Sequence, residues 1–292
     1  MRPSPLLVLV TLALACRSRD SARAETTEDP PPWAYQVAPK DWKPPVDDGS
    51  PRRVPDSDLS LPIAETRNAF FAPDWHPDAH PPMPDVVAKG RRPDVVACGY
   101  CHRAEGSGGP ENASLAGLPA AYIAQQLAEF AGGTRQSLVP GRVPMTMMAA
   151  LAKALTLEEI AAAASYFSAL PPRASIRVVE ADVVPETYLA GWVFADAKNG
   201  RTEPLGARIL EVPEDLEQFE NRDSRSRFIA YVPRGSVERG RGRSPTYLVR
   251  QLFDLKRGAR TGNGAAAMMP VVKNLAVADM IALAAYAASM DP

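Results

Sequence analysis

Five consecutive residues carry the most specific chemistry in the chain: Cys98-Gly99-Tyr100-Cys101-His102. On a helical turn the positions i, i+3 and i+4 share one face. Two thiols and an imidazole so spaced form the C-x-x-C-H pattern of covalent haem c attachment, with the thiols bonding the macrocycle and the imidazole reaching its iron. Histidine and cysteine are otherwise scarce, the remaining members being His76, His80 and Cys16. A dithiol redox motif would need a βαβ setting, which the flanking sequence lacks. A structural zinc site would need a second ligand pair, and only His76 and His80 are left to supply one.

A haem iron held by one histidine takes its sixth ligand from elsewhere, and methionine in that place raises the reduction potential. Pro144-Met145-Thr146-Met147-Met148 offers three candidates between two helical segments. One of the three is expected to be the ligand, and the others to fill irregular core space as methionines commonly do.

The elements that must position these residues are legible in part. A helical region starts near Val86 and contains the C-x-x-C-H motif. Pro119 opens a second helix over Ala120–Ala131, closed by Gly132-Gly133. Thr156 with Glu159 forms a capping box for a third helix running to Pro171. Between Ile176 and Val232 short β-branched and aromatic runs alternate with turn residues, predicting a small antiparallel sheet. Helical texture then returns with an internal repeat. Tyr122, Gln126, Leu127, Gly133, Arg135 and Met148 recur in order as Tyr247, Gln251, Leu252, Gly258, Arg260 and Met268.

From about Asp94 to Leu170 the chain resembles the cytochrome c4/c553-type class I cytochromes. The residues that carry the resemblance are C-x-x-C-H, Leu115-Ala116-Gly117, Tyr122-x-x-x-Gln126-Leu127, Gly133-x-Arg135, the methionine segment, and a capped last helix with Tyr166-Phe167. The resemblance implies a small helical fold and low-spin iron with His102 and Met148 as axial ligands, since in that family the ligand methionine precedes the last cap by eight residues. It leaves Arg135 as either a contact of a haem propionate or a solvated helix-end arginine. It also implies tandem haem domains, and here the second half departs from the pattern. Between Tyr231 and Tyr247 there is neither cysteine nor histidine, and Ala276 stands where the first half has Thr156. The second half is therefore expected to lack haem. About 50 residues without it cannot bury enough apolar surface alone, so its helices must pack on the insert, the haem domain or a partner.

The expected fold class is mainly α. Its parts are a leader (1–24), a Pro-rich tether followed by an irregular segment packed on a domain surface (25–85), a cytochrome c-like haem domain (86–172), a β-rich insert (173–233) and a degenerate haem-free half (234–292). The leader, with Arg2 followed by an apolar run to Ala15, suits export. Cleavage before Cys16 would leave a lipidated membrane anchor, whereas ordinary signal-peptidase cleavage would leave a free periplasmic protein. The net charge of −1 gives no global attraction to nucleic acid. A basic run from Arg234 to Arg260 reads either as a solvated face or as a docking patch for an acidic redox partner. The functional expectation is one haem c, held by Cys98, Cys101, His102 and Met148, in an electron carrier that is not an enzyme and works with redox partner proteins. Alternatives are a haem-bearing docking subunit of a periplasmic dehydrogenase or oxidase complex, or a peroxidase-like enzyme.

Overall fold

The computed structural model describes residues 29–236, 241–242 and 244–290. The leader with Cys16, and Arg239 and Arg243 of the basic run, lie outside the described residues. The helices in chain order are α1 (Ile63–Thr66), α2 (Asp85–Ala88), α3 (Cys98–His102), α4 (Ala120–Ala131), α5 (Val143–Ala154) and α6 (Leu157–Ala169). They are followed by strands β1 (Ile176–Glu180), β2 (Val183–Pro185), β3 (Thr187–Ala190), β4 (Val193–Asp196), β5 (Thr202–Pro204) and β6 (Leu210–Pro213). Then come α7 (Leu216–Glu220), β7 (Phe228–Val232), β8 (Arg241–Gly242), α8 (Pro245–Lys256), α9 (Met269–Val272) and α10 (Val277–Ser289).

The expectation of a mainly α chain is wrong. Helices make up 35% and strands 13% of the described residues, and the helical share is that of an average globular protein. The insert is a mixed structure and not an antiparallel sheet. Its main sheet joins three of its strands to β8 of the second half in the order β6-β7-β1-β8. Within it β1 runs parallel to β7, from Ile176 opposite Phe228 to Glu180 opposite Val232, while β6 pairs antiparallel with β7 and β8 antiparallel with β1. A parallel pair needs a long crossover, and residues 181–227 provide it with two further two-stranded pairs and α7. Alternation of apolar residues shows strands but not their direction, so the parallel pair was hidden. The methionine segment also differs from expectation. Pro144 near the helix start leaves no required donor unpaired, and Met145, Met147 and Met148 lie within α5, not in a connection.

Helices α4 and α8 are each 12 residues, and α6 and α10 each 13. On α4 the apolar residues Ile123, Leu127 and Phe130 fall at i, i+4 and i+7 and face a core with Ala163, Ala164 and Phe167 of α6. Both parts of the predicted capping box of α6 are present: Glu159 N donates to Thr156 Oγ1 (3.2 Å), and Thr156 N to Glu159 Oε2 (2.8 Å). In the second half only one part survives, from Ala276 N to Asp279 Oδ2 (2.8 Å).

The segment expected to be an unpacked tether is packed in part. Ala34 and Tyr35 are buried against Val249 and Phe253 of α8 and Met280, Ile281, Ala284 and Ala285 of α10, together with Ile209 and Val232 of the insert. The second half thus completes its core with an N-terminal turn and the insert. Tyr35 anchors the turn, its hydroxyl donating to Asp254 Oδ1 at 2.7 Å.

Candidate functional site

The motif occupies the single short helix α3. Gly99 is there because nothing larger fits: a Cβ would lie 2.7 Å from Ala72 Cβ and 3.0 Å from the Val87 carbonyl oxygen. The close approach packs α3 onto α2 and the 69–72 segment, since Ala97 N donates to Ala69 O and Ala72 N to Ala88 O. Both thiols are unpaired. Burial pushes the Cys98 thiol up to about 12 and raises that of Cys101, so neither is a thiolate at neutral pH.

His102 is oriented by one bond, between Nδ1 and the Ala113 carbonyl oxygen at 2.8 Å. A carbonyl only accepts, so Nδ1 carries the proton and Nε2 keeps its lone pair. Burial lowers the imidazole pKa, which favours the neutral, ligating form. Phe167 meets the ring edge-on, with centroids 6.3 Å apart.

Cys98, Cys101 and His102 line one cavity of about 690 Å³. Leu118, Ile123, Leu127, Phe130, Leu151 and Phe167 give it apolar walls. Met145, Met147 and Met148 line it as well. Met145 and Met148 pack against the core, whereas Met147 is 38% exposed. A neutral imidazole, two protonated thiols, thioethers and an apolar space of this size are a donor set that fits a covalently held haem. Among the described residues no group of three or more His, Cys, Asp or Glu side chains is placed to hold a bare metal ion.

His76 and His80 do not line this cavity. His76 Nε2 lies 3.1 Å from Asp223 Oδ1, and His80 sits between Asp74 Oδ1 and the Tyr166 hydroxyl, both at 3.0 Å. Arg135 is not a solvated helix-end residue. It is 7% exposed and lines the cavity. Within the described basic run, Arg250 is 3% exposed and donates to the Ala34 and Pro110 carbonyls, Lys256 donates to Leu275 O, and Arg234 pairs with Asp182.

Sequence reasoning missed the far walls of the cavity. Trp42 from the N-terminal segment and Trp192 from the β3–β4 turn both line it, with ring centroids 6.3 Å apart. Gly191 between those strands has φ +64° and presents its α-carbon to the Trp42 ring, which a Cβ would reach at 3.4 Å. No local signal marks either tryptophan. Tyr247, Gln251 and Arg260 of the second half also line the cavity, and all three belong to the repeat.

No family model matches the chain. Over 82 residues it is 39% identical to a protein named thiosulfate dehydrogenase electron acceptor from Thiomonas intermedia (strain K12), covering 27% of this chain and 34% of that protein. Among solved structures it is similar to the thiosulfate dehydrogenase TsdBA of Marichromatium purpuratum in the as-isolated form, at 28% identity and a TM-score of 0.40, covering 66% of this chain and 36% of that one. The chain thus spans about a third of the length of each relative. The relative matched in sequence is named for a redox system, and no helix among the described residues is long and apolar enough to cross a membrane.

Proposed function

We propose that the chain is an exported monohaem c-type cytochrome that transfers single electrons and is not itself an enzyme. The observation that carries the reading is the five-residue helix α3, which sets two unpaired thiols and an oriented, neutral imidazole in an apolar cavity that three methionines also line. Haem, when bound, supplies a one-electron iron couple. The chain's residues do the rest. Cys98 and Cys101 would anchor it through thioethers, and the proton held on Nδ1 by Ala113 keeps Nε2 of His102 available to the iron. Met148, packed against the core, is the proposed distal ligand. The apolar walls exclude water and favour the less charged ferrous state.

Residues 86–172 would then be the haem domain and 234–292 a haem-free counterpart. The leader, with or without a lipid on Cys16, would deliver the protein to the periplasm or its membrane surface. The relative's name supports an electron-accepting role toward a dehydrogenase of the kind that oxidises thiosulfate, either as a free carrier or as a docked haem subunit.

The test is co-expression of the full chain with haem c maturation machinery, followed by intact mass and absorbance spectra. One haem is expected; two would refute the haem-free second half, and none would refute the whole reading. Met148→Ala is expected to abolish the methionine-to-iron charge-transfer band, and loss of that band in Met145→Ala instead would move the ligand to Met145. Rapid binding of carbon monoxide by the ferrous protein would point to an open, enzyme-like iron. Reduction by a thiosulfate-oxidising dehydrogenase, followed by stopped flow, tests the partner class.

A further inference from the structure

The repeat residues meet at one place. Arg135 and Arg260 face each other in an antiparallel bridge, flanked by hydrogen bonds from Gln136 N to Ala259 O (2.8 Å) and from Thr261 N to Thr134 O (2.7 Å). Their guanidinium groups share one set of acceptors. Arg135 donates to Gln126 Oε1 (2.6 Å), the Tyr247 hydroxyl (2.8 Å) and Gln251 Oε1 (3.1 Å). Arg260 donates to Gln251 Oε1 (3.1 Å), the Tyr122 hydroxyl (3.3 Å) and Gln126 Oε1 (2.8 Å). Exchanging Tyr122, Gln126 and Arg135 for Tyr247, Gln251 and Arg260 maps each bond onto another, so the cluster has local twofold symmetry.

This cluster is electrostatically incomplete. Two cations share neutral amide and phenol oxygens, and among the described residues neither arginine has a carboxylate within ion-pair distance. Neither carboxylate on the adjoining helices bonds to the pair: Glu129 accepts from Gln125 with Oε1 and leaves Oε2 buried without a partner, and Asp254 accepts from Tyr35 and Leu138. The Phe130 ring, 4.5 Å from the Arg135 guanidinium carbon, offsets only part of that charge. Both arginine Nε atoms and Gln126 Nε2 are buried without a partner. Adjacent like charges with unmet donors are costly unless an anion joins them. All six residues line the cavity that holds Cys98, Cys101 and His102.

We propose that Arg135 and Arg260 together form the anion site for the carboxylates of the haem, so that the half without a haem supplies one side of the haem site. The inference rests on the haem reading above. It gives the second half a function that outlasts its own thiols and imidazole, neither of which occurs between Tyr231 and the C-terminal Pro292. Arg260 acts here as a positioning and charge-compensating residue, since it sits across the cavity wall and supplies no ligand to the iron.

The experiment is spectroelectrochemical titration of the purified, haem-bearing full chain. Removing a cation near the iron favours the ferric state. Arg260→Gln is expected to keep the covalent haem by mass while shifting the ferric-to-ferrous ratio at fixed potential several-fold to about tenfold toward ferric. Arg260→Lys retains the charge and is expected to recover most of that shift. An Arg260→Gln protein that holds haem at the wild-type potential overturns the proposal, and so does an Arg260→Lys protein shifted as far as the glutamine variant. If Arg260→Gln yields no holoprotein, Gln251→Glu decides instead. It sets an internal carboxylate against both guanidiniums, and an unchanged potential in that variant overturns the proposal. Wild-type protein without a haem mass refutes the haem reading itself, a different outcome from any of these.

Discussion

At the scale of the residue, the site is specified by what the motif leaves out as much as by what it contains. The thiol and imidazole spacing was legible because a helix fixes which positions share a face. The choice of Gly99 between them was not, because its reason lies in Ala72 and the Val87 carbonyl, distant in sequence or in another element. Gly99→Ala is therefore expected to cost about 1–3 kcal/mol, through a forced shift of α3 away from α2. A urea titration of the holoprotein measures it, and a variant as stable as wild type would mean that this contact is loose. The orientation of His102 was equally hidden. Its partner is a backbone carbonyl, Ala113 O, and no side chain in the sequence announces it.

At the scale of the element, the repeat was the most productive pattern. It made α8 the counterpart of α4 and α10 that of α6, and it contained Tyr247, Gln251 and Arg260. It did not show what replaces the missing haem in the second core. That role falls to the N-terminal turn, whose prolines and lack of period read as tether although Tyr35 is 3% exposed. Tyr35→Phe removes the hydroxyl that donates to Asp254 and leaves a buried carboxyl short of a donor, so a loss of about 1–2 kcal/mol is expected from chemical denaturation. The insert contributes a pH dependence of its own. Glu211 of β6 is 2% exposed and accepts from Ser244 Oγ at 2.7 Å. Burial pushes its carboxyl up to about 7. A carboxyl whose folded pKa exceeds its unfolded value, about 4.3, binds more protons when folded. Its contribution is full below the unfolded pKa and is lost as pH rises through about 7. Glu211→Gln is expected to flatten the fall in stability between about pH 4.5 and 7, as read from denaturation midpoints across that window. An unchanged slope would show that another group titrates there.

At the scale of the whole molecule, the two halves differ in what fills them. The first half borders a partly open cavity of about 690 Å³ with apolar walls, and an occupant there takes that apolar surface out of water. The second half is closed by Tyr35, Ile209 and Val232 of the chain itself. This asymmetry was out of reach of the sequence. Whether a helical frame surrounds a cofactor or a protein segment depends on contacts between Tyr35 and Phe253, 218 positions away. It predicts how the chain comes apart. With both Cys98 and Cys101 replaced by alanine, no covalent haem can attach, and the core of α4, α5 and α6 is expected to lose fixed packing while the second half keeps it. Amide hydrogen exchange resolved by peptide separates the two. Fast exchange over 120–169 with protection retained over 245–256 and 277–289 is the expected pattern. Equal protection in both halves would show that the first core closes without an occupant, and would remove the energetic argument for one.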